Sequence, residues 1–379
     1  MIRRSLLAFI LSATPALAQT GTAEAGGYID YLFDNTFPPA GENLYDHLLQ
    51  ARLNTKWYPL ESLSGVLEIR TRLFYGTLVR ETPGFADQLK HNAGLGNLGV
   101  TLWNRGEGVG YAEIDRCFLN WNPEHLQVTL GRQRVAWGTN LVWNPVDLFN
   151  PLSILDFDYI ERPAADAARV QYYTGEVSKI EVALKPGSNE TSRIVAAQWT
   201  TNSWNYDFHL LAGVRGDSWC AGGAWAGDIS GGGFRGELLA SEIPAELRTD
   251  ASTMFSGAIS GDYTFPTSLY VHAEILYNSQ GVRNNAASAR PRALALGLLS
   301  PARWSLYEEL SYDISPLLRG SIFFIHNPDD LSLVAVPSLT WSVVTNLDAT
   351  LLVMSFHGAG GTEYGKLGTA LFARCKWSF

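Results

Sequence analysis

The sequence predicts an all-β fold, a single transmembrane antiparallel β-barrel, and three observations support this prediction. Apolar and polar residues alternate with a period of two over much of the chain. Aromatic residues are abundant, with 12 Trp, 16 Tyr and 17 Phe beside 36 Gly, although hydrophobic residues make up only 46% of the chain. Every apolar run is broken well before the roughly 20 residues that a membrane-spanning helix needs. These features are typical of strands with one face in lipid and the other in water.

The chain begins with MIRRSLLAFILSATPALAQT, which has the pattern of a secretory signal peptide. Arg3 and Arg4 precede a short apolar run, and a small-x-small sequence ends at Ala18. We therefore expect residues 1–18 to be removed as a signal peptide, and residues 19–379 to form one barrel domain outside the cytoplasm.

The last residues, KLGTALFARCKWSF, form a strand that alternates up to the final aromatic side chain. Leu371, Ala373, Cys375, Trp377 and Phe379 share one face, whereas the charged side chains of the stretch fall on the other. This strand resembles the C-terminal signature of Gram-negative outer-membrane β-barrel proteins. The resemblance implies insertion among the outer-membrane lipids of a Gram-negative bacterium, and recognition of Phe379 by the barrel-assembly machinery.

The segment LSGVLEIRTRLFYGTLVR shows the alternation clearly. Leu67, Ile69 and Leu73 point one way, and Glu68 and Arg70 point the other. The polar face carries charges of both signs and is expected to line a water-filled lumen, while the apolar face meets lipid. A soluble β-sandwich would instead pack its apolar face against a second sheet.

A bacterial barrel of this kind has an even number of strands, with short turns at the periplasmic end and longer loops outside. The alternation predicts strands at 26–37, 45–58, 63–80, 109–121, 125–137, 167–174, 177–186, 192–202, 204–215, 218–228, 233–242, 252–264, 267–278, 302–315, 317–327, 331–343, 345–356 and 366–379. Long connections such as 81–108, 138–166 and 279–301 then share one end, and tight turns such as 122–124 share the other. We therefore predict about 18 strands, with 16 as the alternative.

The connection after Trp137 is unusually apolar for an exposed loop. In GRQRVAWGTNLVWNPVDLFNP, residues 131–151, two Asn-Pro pairs restrict the backbone. We therefore predict a long ordered segment, with Trp137 at the outer rim, that either folds back to narrow the lumen or forms a lid across the mouth. In its Gly-Arg-Gln, Trp-Gly and Asn-Pro-x-Asp motifs the stretch resembles poorly characterised Gram-negative outer-membrane barrel families. The resemblance implies a porin-like barrel and names no solute.

Arg132 and Arg134 have the parity of neighbouring apolar residues that are expected to face lipid. An arginine at mid-bilayer costs about 2–4 kcal/mol, and this cost falls toward zero at the interface. Two placements follow. Either both arginines lie at the outer interface, or a bulge at Gly131 turns them inward, toward Glu113 and Asp115.

Charged, amide and aromatic residues on the inward faces and in the ordered segment are the candidates for lining or narrowing a pore. They are Glu68, Arg70, Arg72, Glu113, Asp115, Arg132, Arg134, Trp143, Asn144, Asp147, Asn150, Lys179, Glu181, Asp207, His209, His272 and Glu274. For the polar residues of the Asn-Pro region, Asn144, Asp147 and Asn150, the alternative role is to cap turns or a short helix.

Charge and motifs favour a passive channel for small solutes. The net charge of −9 argues against a nucleic-acid partner. No HExxH, GxSxG or CxxC motif is present, so no cofactor, metal or catalytic residue is predicted. His209 beside Asp207, and His272 beside Glu274, are expected to form lumen charge ladders rather than acid–base pairs. A plugged barrel that acts as a binding or assembly component is the alternative, an outer-membrane hydrolase is the second alternative, and a homo-oligomer is left open.

Overall fold

The computed structural model describes residues 23–90, 95–150, 155, 161, 163–187 and 192–379. The expected signal peptide falls in residues 1–22 and lies outside the described residues. So do Asp156 and Asp158, which the sequence placed in the ordered segment after Trp137.

Nineteen strands and three short helices make up most of the described chain. The strands are β1 (Ala23–Phe37), β2 (Leu44–Leu60), β3 (Leu63–Gly76), β4 (Gly99–Arg105), β5 (Gly108–Trp121), β6 (Leu126–Gln133), β7 (Ala165–Tyr173), β8 (Lys179–Lys185), β9 (Ile194–Ser203), β10 (Tyr206–Arg215), β11 (Ser218–Ile229), β12 (Gly232–Glu242), β13 (Thr253–Thr264), β14 (Leu269–Asn278), β15 (Trp304–Ser315), β16 (Leu318–Asn327), β17 (Ser332–Val344), β18 (Leu347–His357) and β19 (Thr369–Ser378). The helices are α1 (Thr77–Glu81), α2 (Phe85–Gln88) and α3 (Ala286–Leu296), with a 3₁₀ turn at Ala245–Leu247. Within the described ranges, none of the helices is both long and apolar enough to cross a membrane.

Eighteen of the strands form a closed antiparallel ring, as the alternation predicts. Consecutive strands pair along the chain, and β1 pairs with β19, with Tyr28 opposite Ser378 and Phe37 opposite Thr369. The nineteenth strand, β4, pairs only with β5 in the described chain and is not a member of the ring. It lies within the connection 81–108, for which the sequence predicted no strand.

The two ends of the ring differ in the length of their connections. At one end, the short-turn end, only a few residues join β2 to β3, β5 to β6, β11 to β12 and β17 to β18. The other end, the long-loop end, carries the connections that contain α1, α2 and α3 and the one between β6 and β7. The predicted segregation is confirmed, with the two-residue turn between β10 and β11 as a short connection at the long-loop end.

A bulge in β5 changes which residues face the interior. Glu68 of β3 lies opposite Arg116 and the next residue, Ile69, lies opposite Ile114, so Asp115 is an extra residue in β5. Because side chains alternate along a strand, an extra residue shifts the parity beyond it. Asp115 is buried in the interior, and the adjacent Arg116 lines an interior cavity. Both charged residues therefore face inward.

β4 completes the wall where β6 leaves it. β6 pairs with the part of β5 nearest the short-turn end, Cys117 to Trp121, and ends at Gln133. The other half of β5, from Gly108 to Glu113, pairs with β4 instead. The Trp103 ring lies across the two glycines of β5 in this half, where a Cβ at Gly108 would lie 2.6 Å from it. The wall is thus continued by a strand from an earlier connection.

Much of the interior is packed rather than open. One apolar cluster lies against β7 to β12, where its wall residues include the small Ala167, Ala183, Ala196 and Ala224. A second lies against β13 to β19, and a third lies under α1 and α2, around Phe74. The expectation of a polar inward face therefore holds for only part of the wall. The rest is filled by the chain's own side chains, most of them from the connection between β6 and β7 and from the wall.

The seam between β1 and β19 generates a prediction for Gly27. Gly27 exchanges two backbone hydrogen bonds with Phe379, each 2.9 Å long, and a Cβ on Gly27 would lie 2.1 Å from the Arg52 carbonyl oxygen. Gly27→Val should therefore reduce the folded fraction, with a cost of about 1–3 kcal/mol for overpacking. Heat-modifiable migration in an electrophoresis gel measures this fraction. Gly96→Ala, where a Cβ meets nothing within 4 Å, is the matched control and should fold normally.

Candidate functional site

The chain enters the interior after Gln133 as residues 134–150, the inward segment. Most of its residues are buried, including Val135, Trp137, Val146 and Phe149, whereas Leu141 is exposed. For its described part, the structure selects the inward-folded alternative over a lid. Trp137, expected at the outer rim, lies inside the barrel and is only 3% exposed.

Apolar side chains of the inward segment pack against the wall, not toward a pathway. Trp137 meets Phe149 edge to face, with ring centroids 5.1 Å apart, over the alanine-rich surface of β7 to β12. Trp143 points to the opposite cluster and packs edge to face on Tyr307, at 6.4 Å. The small inward residues of the wall provide the space that the segment occupies, since side chains of ordinary size there would overlap it.

Glu237 of β12 fixes the middle of the inward segment. One carboxylate oxygen accepts hydrogen bonds from the backbone N–H groups of Thr139 (2.6 Å) and Asn140 (2.9 Å). The other accepts the N–H of Val146, at 3.1 Å. A buried backbone donor without a partner costs about 1–3 kcal/mol, and charged acceptors make the stronger hydrogen bonds. A single side chain therefore satisfies three donors of a segment that has no β-ladder.

Glu274 of β14 and Glu181 of β8 fix two further points. Glu274 accepts the backbone N–H groups of Val142 (3.1 Å) and Trp143 (2.7 Å). Glu181 accepts the indole N–H of Trp137 at 2.7 Å. Glu181 also pairs with Arg169 and Lys179, so this buried carboxylate has two cations beside it. Three wall carboxylates thus hold the segment across the interior.

The polar residues of the Asn-Pro region bond within the segment itself. The Asn150 side-chain oxygen accepts the Val135 N–H at 2.9 Å and so joins the two ends of the segment. Asp147 accepts the N–H of Asn150 at 3.4 Å, and the Asn144 carbonyl accepts the N–H of Asp147 at 3.0 Å. All three side chains are buried. Of these contacts, the one between Asp147 and Asn150 has the local spacing of the capping role that the sequence gave as the alternative, whereas Asn150 bonds to a distant residue and Asn144 through its backbone.

Opposite the inward segment, charged side chains of β1, β2, β3, β5 and β19, together with Gln50, form three neighbouring groups of contacts that we call the ionic strip. Its members are Asp30, Gln50, Arg52, Glu68, Arg70, Arg72, Glu113, Asp115 and Arg374. Five of the sequence candidates are therefore brought together here. Most of these groups are buried, so each charge depends on an opposite charge nearby.

Arg52 is the central cation of the ionic strip. Its guanidinium contacts both Glu68 and Asp115, and it lies 3.6 Å from Glu161 of the connection between β6 and β7. The Tyr28 hydroxyl donates to the same Glu161 carboxylate at 3.0 Å. Glu161 thus joins the connection between β6 and β7 to the wall at β1 and β2.

A second group of the ionic strip centres on Glu113. Its Oε1 atom accepts from Arg70 at 2.6 Å and from Arg72 at 2.9 Å, so two cations share one carboxylate. Near it, Asp30 accepts from Gln50 at 2.7 Å and lies 3.3 Å from Arg374. Charges of both signs alternate along the strip.

A cavity of about 660 Å³ leads from the short-turn end to the ionic strip. Polar side chains line the part of the cavity nearest the short-turn end, among them Asn54, Lys56, Asn120 and Gln127. Its lining also includes Glu68, Arg116, Gln133, Arg134 and Arg169. Arg134 thus faces the interior, next to the point where the chain leaves the wall.

Arg132 takes neither of the two positions that the sequence suggested. It retains outward parity, opposite Asp166 of β7, and no register shift occurs at Gly131, although that glycine has a φ of 121°. Its Nε atom donates to Asp166 at 2.7 Å, and its Nη2 atom donates to the Gly96 carbonyl at 3.0 Å. The backbone ahead of β4 covers this ion pair, so Arg132 does not meet Glu113 and Asp115 by turning into the lumen.

The histidine candidates lie apart from one another. His209 contacts the Thr200 hydroxyl at 3.1 Å, while Asp207 accepts from Asn202 at 2.8 Å nearer the short-turn end. His272 is buried, 3.6 Å from Glu274 and 4.0 Å from Glu309. Glu274, however, already accepts two backbone donors of the inward segment.

Sequence reasoning missed several members of the site. Asp30, Gln50 and Arg52 were not among the candidates, although the alternation Tyr28-x-Asp30 and Gln50-x-Arg52 places them on the inward faces of β1 and β2. Glu161 gives no such signal, because it belongs to an irregular connection. Its contact with Arg52 depends on how the connection between β6 and β7 folds, which no alternation of residues indicates.

At the long-loop end, the connection between β18 and β19 packs on the one that contains α3. Glu363 is buried there and accepts hydrogen bonds from Ser300 and Asn327, both at 3.0 Å, while its own carbonyl accepts from Arg290. Burial raises the pKa of the Glu363 carboxyl above its usual range. The packing is therefore strongest at acidic pH, where the carboxyl is neutral, and it weakens as the pH rises through the raised pKa.

The fold is similar to those of outer-membrane proteins of known structure. The outer membrane protein OprD of Pseudomonas aeruginosa superposes with a TM-score of 0.59, over 94% of this chain and 93% of that chain, at 8% identity. For OccAB4 of Acinetobacter baumannii the TM-score is 0.58, over 94% and 98%, also at 8% identity. Salmonella typhi OmpF, solved in complex with daunomycin, gives 0.50 over 94% and 97%, at 10% identity. Identities this low establish a shared fold alone.

No protein-family model matches the sequence, and no curated protein matches it either.

The three hydrogen bonds to Glu237 generate a prediction for the inward segment. Glu237→Gln places an amide N–H₂ where backbone donors now bond, so it should loosen residues 138–150 without opening the ring. Hydrogen–deuterium exchange of peptides from this region should be on the order of ten-fold faster than in the wild type. Glu246→Gln, on the exposed 3₁₀ turn, is the matched control and should exchange like the wild type. Unchanged exchange in Glu237→Gln would contradict the proposed anchoring.

Proposed function

We propose that the protein is a passive channel that lets small solutes cross the outer membrane of a Gram-negative bacterium. The observation that supports this most directly is an 18-strand ring, too wide to be filled by its own wall side chains, that is narrowed by an inward-folded segment. The similarity to OprD, OccAB4 and OmpF agrees with this proposal at the level of fold.

The ionic strip is the proposed narrow part of the pathway. It faces the inward segment across the interior, and the cavity from the short-turn end reaches it at Glu68 and Arg116. Cations and carboxylates lie side by side there, which provides a transverse field that orients polar solutes. Because the charges largely balance, we expect weak selectivity between small anions and cations.

The membrane orientation follows from the connections. In barrels of this class, short turns face the periplasm and long loops face outside. The short-turn end is therefore proposed to be periplasmic, with outer-membrane lipids around the wall. Phe379 lies at the seam, beside Gly27, which is consistent with its proposed role in recognition by the barrel-assembly machinery.

A plugged barrel that serves as a binding or assembly component is the second candidate. The extent of apolar packing in the interior favours it, since the segment and the three clusters fill much of the ring. An enzyme is not proposed. The buried His272 shares Glu274 with two backbone donors, and the nearest hydroxyl contact of His209 is a threonine of the wall.

Conductance of the purified protein in planar bilayers tests the channel proposal. Replacement of residues 139–149 by a Gly-Ser linker of equal length removes the packing of Trp143 and should enlarge the single-channel conductance several-fold, because pore width limits ion flow. A six-residue Gly-Ser linker in place of residues 245–250, in the connection after β12, is the control and should leave conductance unchanged. Conductance that appears only after replacement of 139–149 would instead support the plugged barrel.

The balance of charges in the ionic strip generates a selectivity prediction. Glu113→Gln removes the carboxylate shared by Arg70 and Arg72 and gives the ionic strip one more net positive charge. The reversal potential in a KCl gradient should therefore shift toward that of chloride by several millivolts or more, since a ring of positive charge favours anions. Glu107→Gln, in the turn between β4 and β5, is the control with the same change in net charge. An equal shift in both variants would place the pathway away from the ionic strip.

A further inference from the structure

An ion pair lies on the outward surface of the wall, between Glu308 of β15 and His326 of β16. The Glu308 Oε2 and His326 Nε2 atoms are 3.3 Å apart, and the two side chains are 63% and 31% exposed. The neighbouring residues of β15 show that the Glu308 side chain points outward. Tyr307 is buried in the interior, whereas Leu310, two residues after Glu308 and on the same face of the strand, is exposed. The pair therefore occupies a position where apolar side chains normally meet lipid.

Glu308 lies midway between the two aromatic borders of this surface. Trp304 packs on Tyr277 near the long-loop end, with ring centroids 4.7 Å apart, and Tyr312 is exposed near the short-turn end. Glu308 is about 13 Å along the strand from each of Trp304 and Tyr312. The apolar band of a barrel is about 25 Å tall, so the carboxylate lies near its middle. Acyl chains at that depth offer it no hydrogen-bond donor.

The Arg132–Asp166 pair shows how the chain treats charges of outward parity elsewhere. Leu95 donates its backbone N–H to Asp166, and Gly96 accepts from Arg132, so these side chains are only 15% and 6% exposed. In the described chain, no comparable segment covers Glu308.

The surface around Glu308 is concave and largely apolar. A cavity of about 510 Å³ is lined partly by Gly261, Ala273 and Glu308. A cavity of about 690 Å³ closer to the long-loop end is lined partly by Gly257 and Trp304. Small outward residues thus allow another protein surface to approach the wall closely.

We propose that this face, the outward surface of β11 to β16 around Glu308 and His326, binds a second copy of the chain. The two copies are related by a two-fold axis along the membrane normal, which keeps both in the same orientation. The pair supplies a hydrogen-bond acceptor and a donor at similar depth. A rotated copy therefore presents His326 to Glu308 and receives the same contact in return. Lipid chains would fill the concavities but would offer no hydrogen-bond donor to the part of the Glu308 carboxylate that His326 leaves exposed.

Cysteine crosslinking in membranes tests the position of this interface. In a background that carries Cys117→Ser and Cys375→Ser, Leu310→Cys should yield a dimer with a flexible bismaleimide, because symmetric positions near the axis approach each other. Val182→Cys, exposed on β8 at the far side of the ring, is the control and should remain monomeric. No dimer at Leu310→Cys, or equal yields at both positions, would overturn the proposal.

Replacement of the ion pair tests its role. Glu308→Leu combined with His326→Leu leaves a lipid-facing surface that should fold normally by heat-modifiable migration. Its dimer association constant, from sedimentation in detergent, should fall on the order of ten-fold. Thr71→Leu, outward on β3, is the control and should associate like the wild type. Undiminished association of the double variant would overturn the proposal. The proposal would also be overturned if the wild type were monomeric and carried a tightly bound lipid that the double variant loses, because the surface would then bind lipid and not a second copy.

Discussion

Backbone hydrogen bonding at membrane depth is the constraint on which the rest of this structure depends. Each N–H and C=O group inside the bilayer must find a partner within the protein, which only helices and closed barrels achieve by backbone pairing alone. The ring of strands meets this condition through its ladders. The inward segment has no ladder, so Glu237 and Glu274 accept five of its backbone N–H groups instead. Irregular chain is stable inside the barrel because wall carboxylates replace the missing strand partner.

The same departure of the chain from the wall accounts for two other features. β6 has eight residues and β7 has nine, while β2 has seventeen, so the wall would be low where β6 turns inward. β4 extends the wall there by pairing with the half of β5 that β6 does not reach. The Arg132–Asp166 pair then links residues 95 and 96, just before β4, to β6 and β7. Four alanines on the inward faces of β7, β8, β9 and β11 correspondingly leave room for Trp137 and Phe149.

The strand ring was predictable from the sequence because alternation is a property of every strand, and eighteen weak signals add together. β4 was missed because an even ring had no place for it, and because its seven residues lie in a connection that also holds two helices. Parity correctly places Glu68, Arg70 and Glu113 in the interior. It also places Asp115 there but fails at Arg116, since the bulge shows in the register of the partner strand and not in the residue types. It could not provide the partner of Arg132, or the contacts of Glu237 and Glu274, because such pairs join residues that are distant in the sequence.

The distances along the chain between the inward segment and its anchors have a consequence for biogenesis. Asn140 is 97 residues from Glu237, and Trp143 is 131 residues from Glu274. If strands join the growing sheet in order, the segment emerges long before its acceptors are in place. It must remain solvated until β14 is added, and only then can it exchange water for these carboxylates. The inward segment therefore packs against the wall only after most of the strands have been placed.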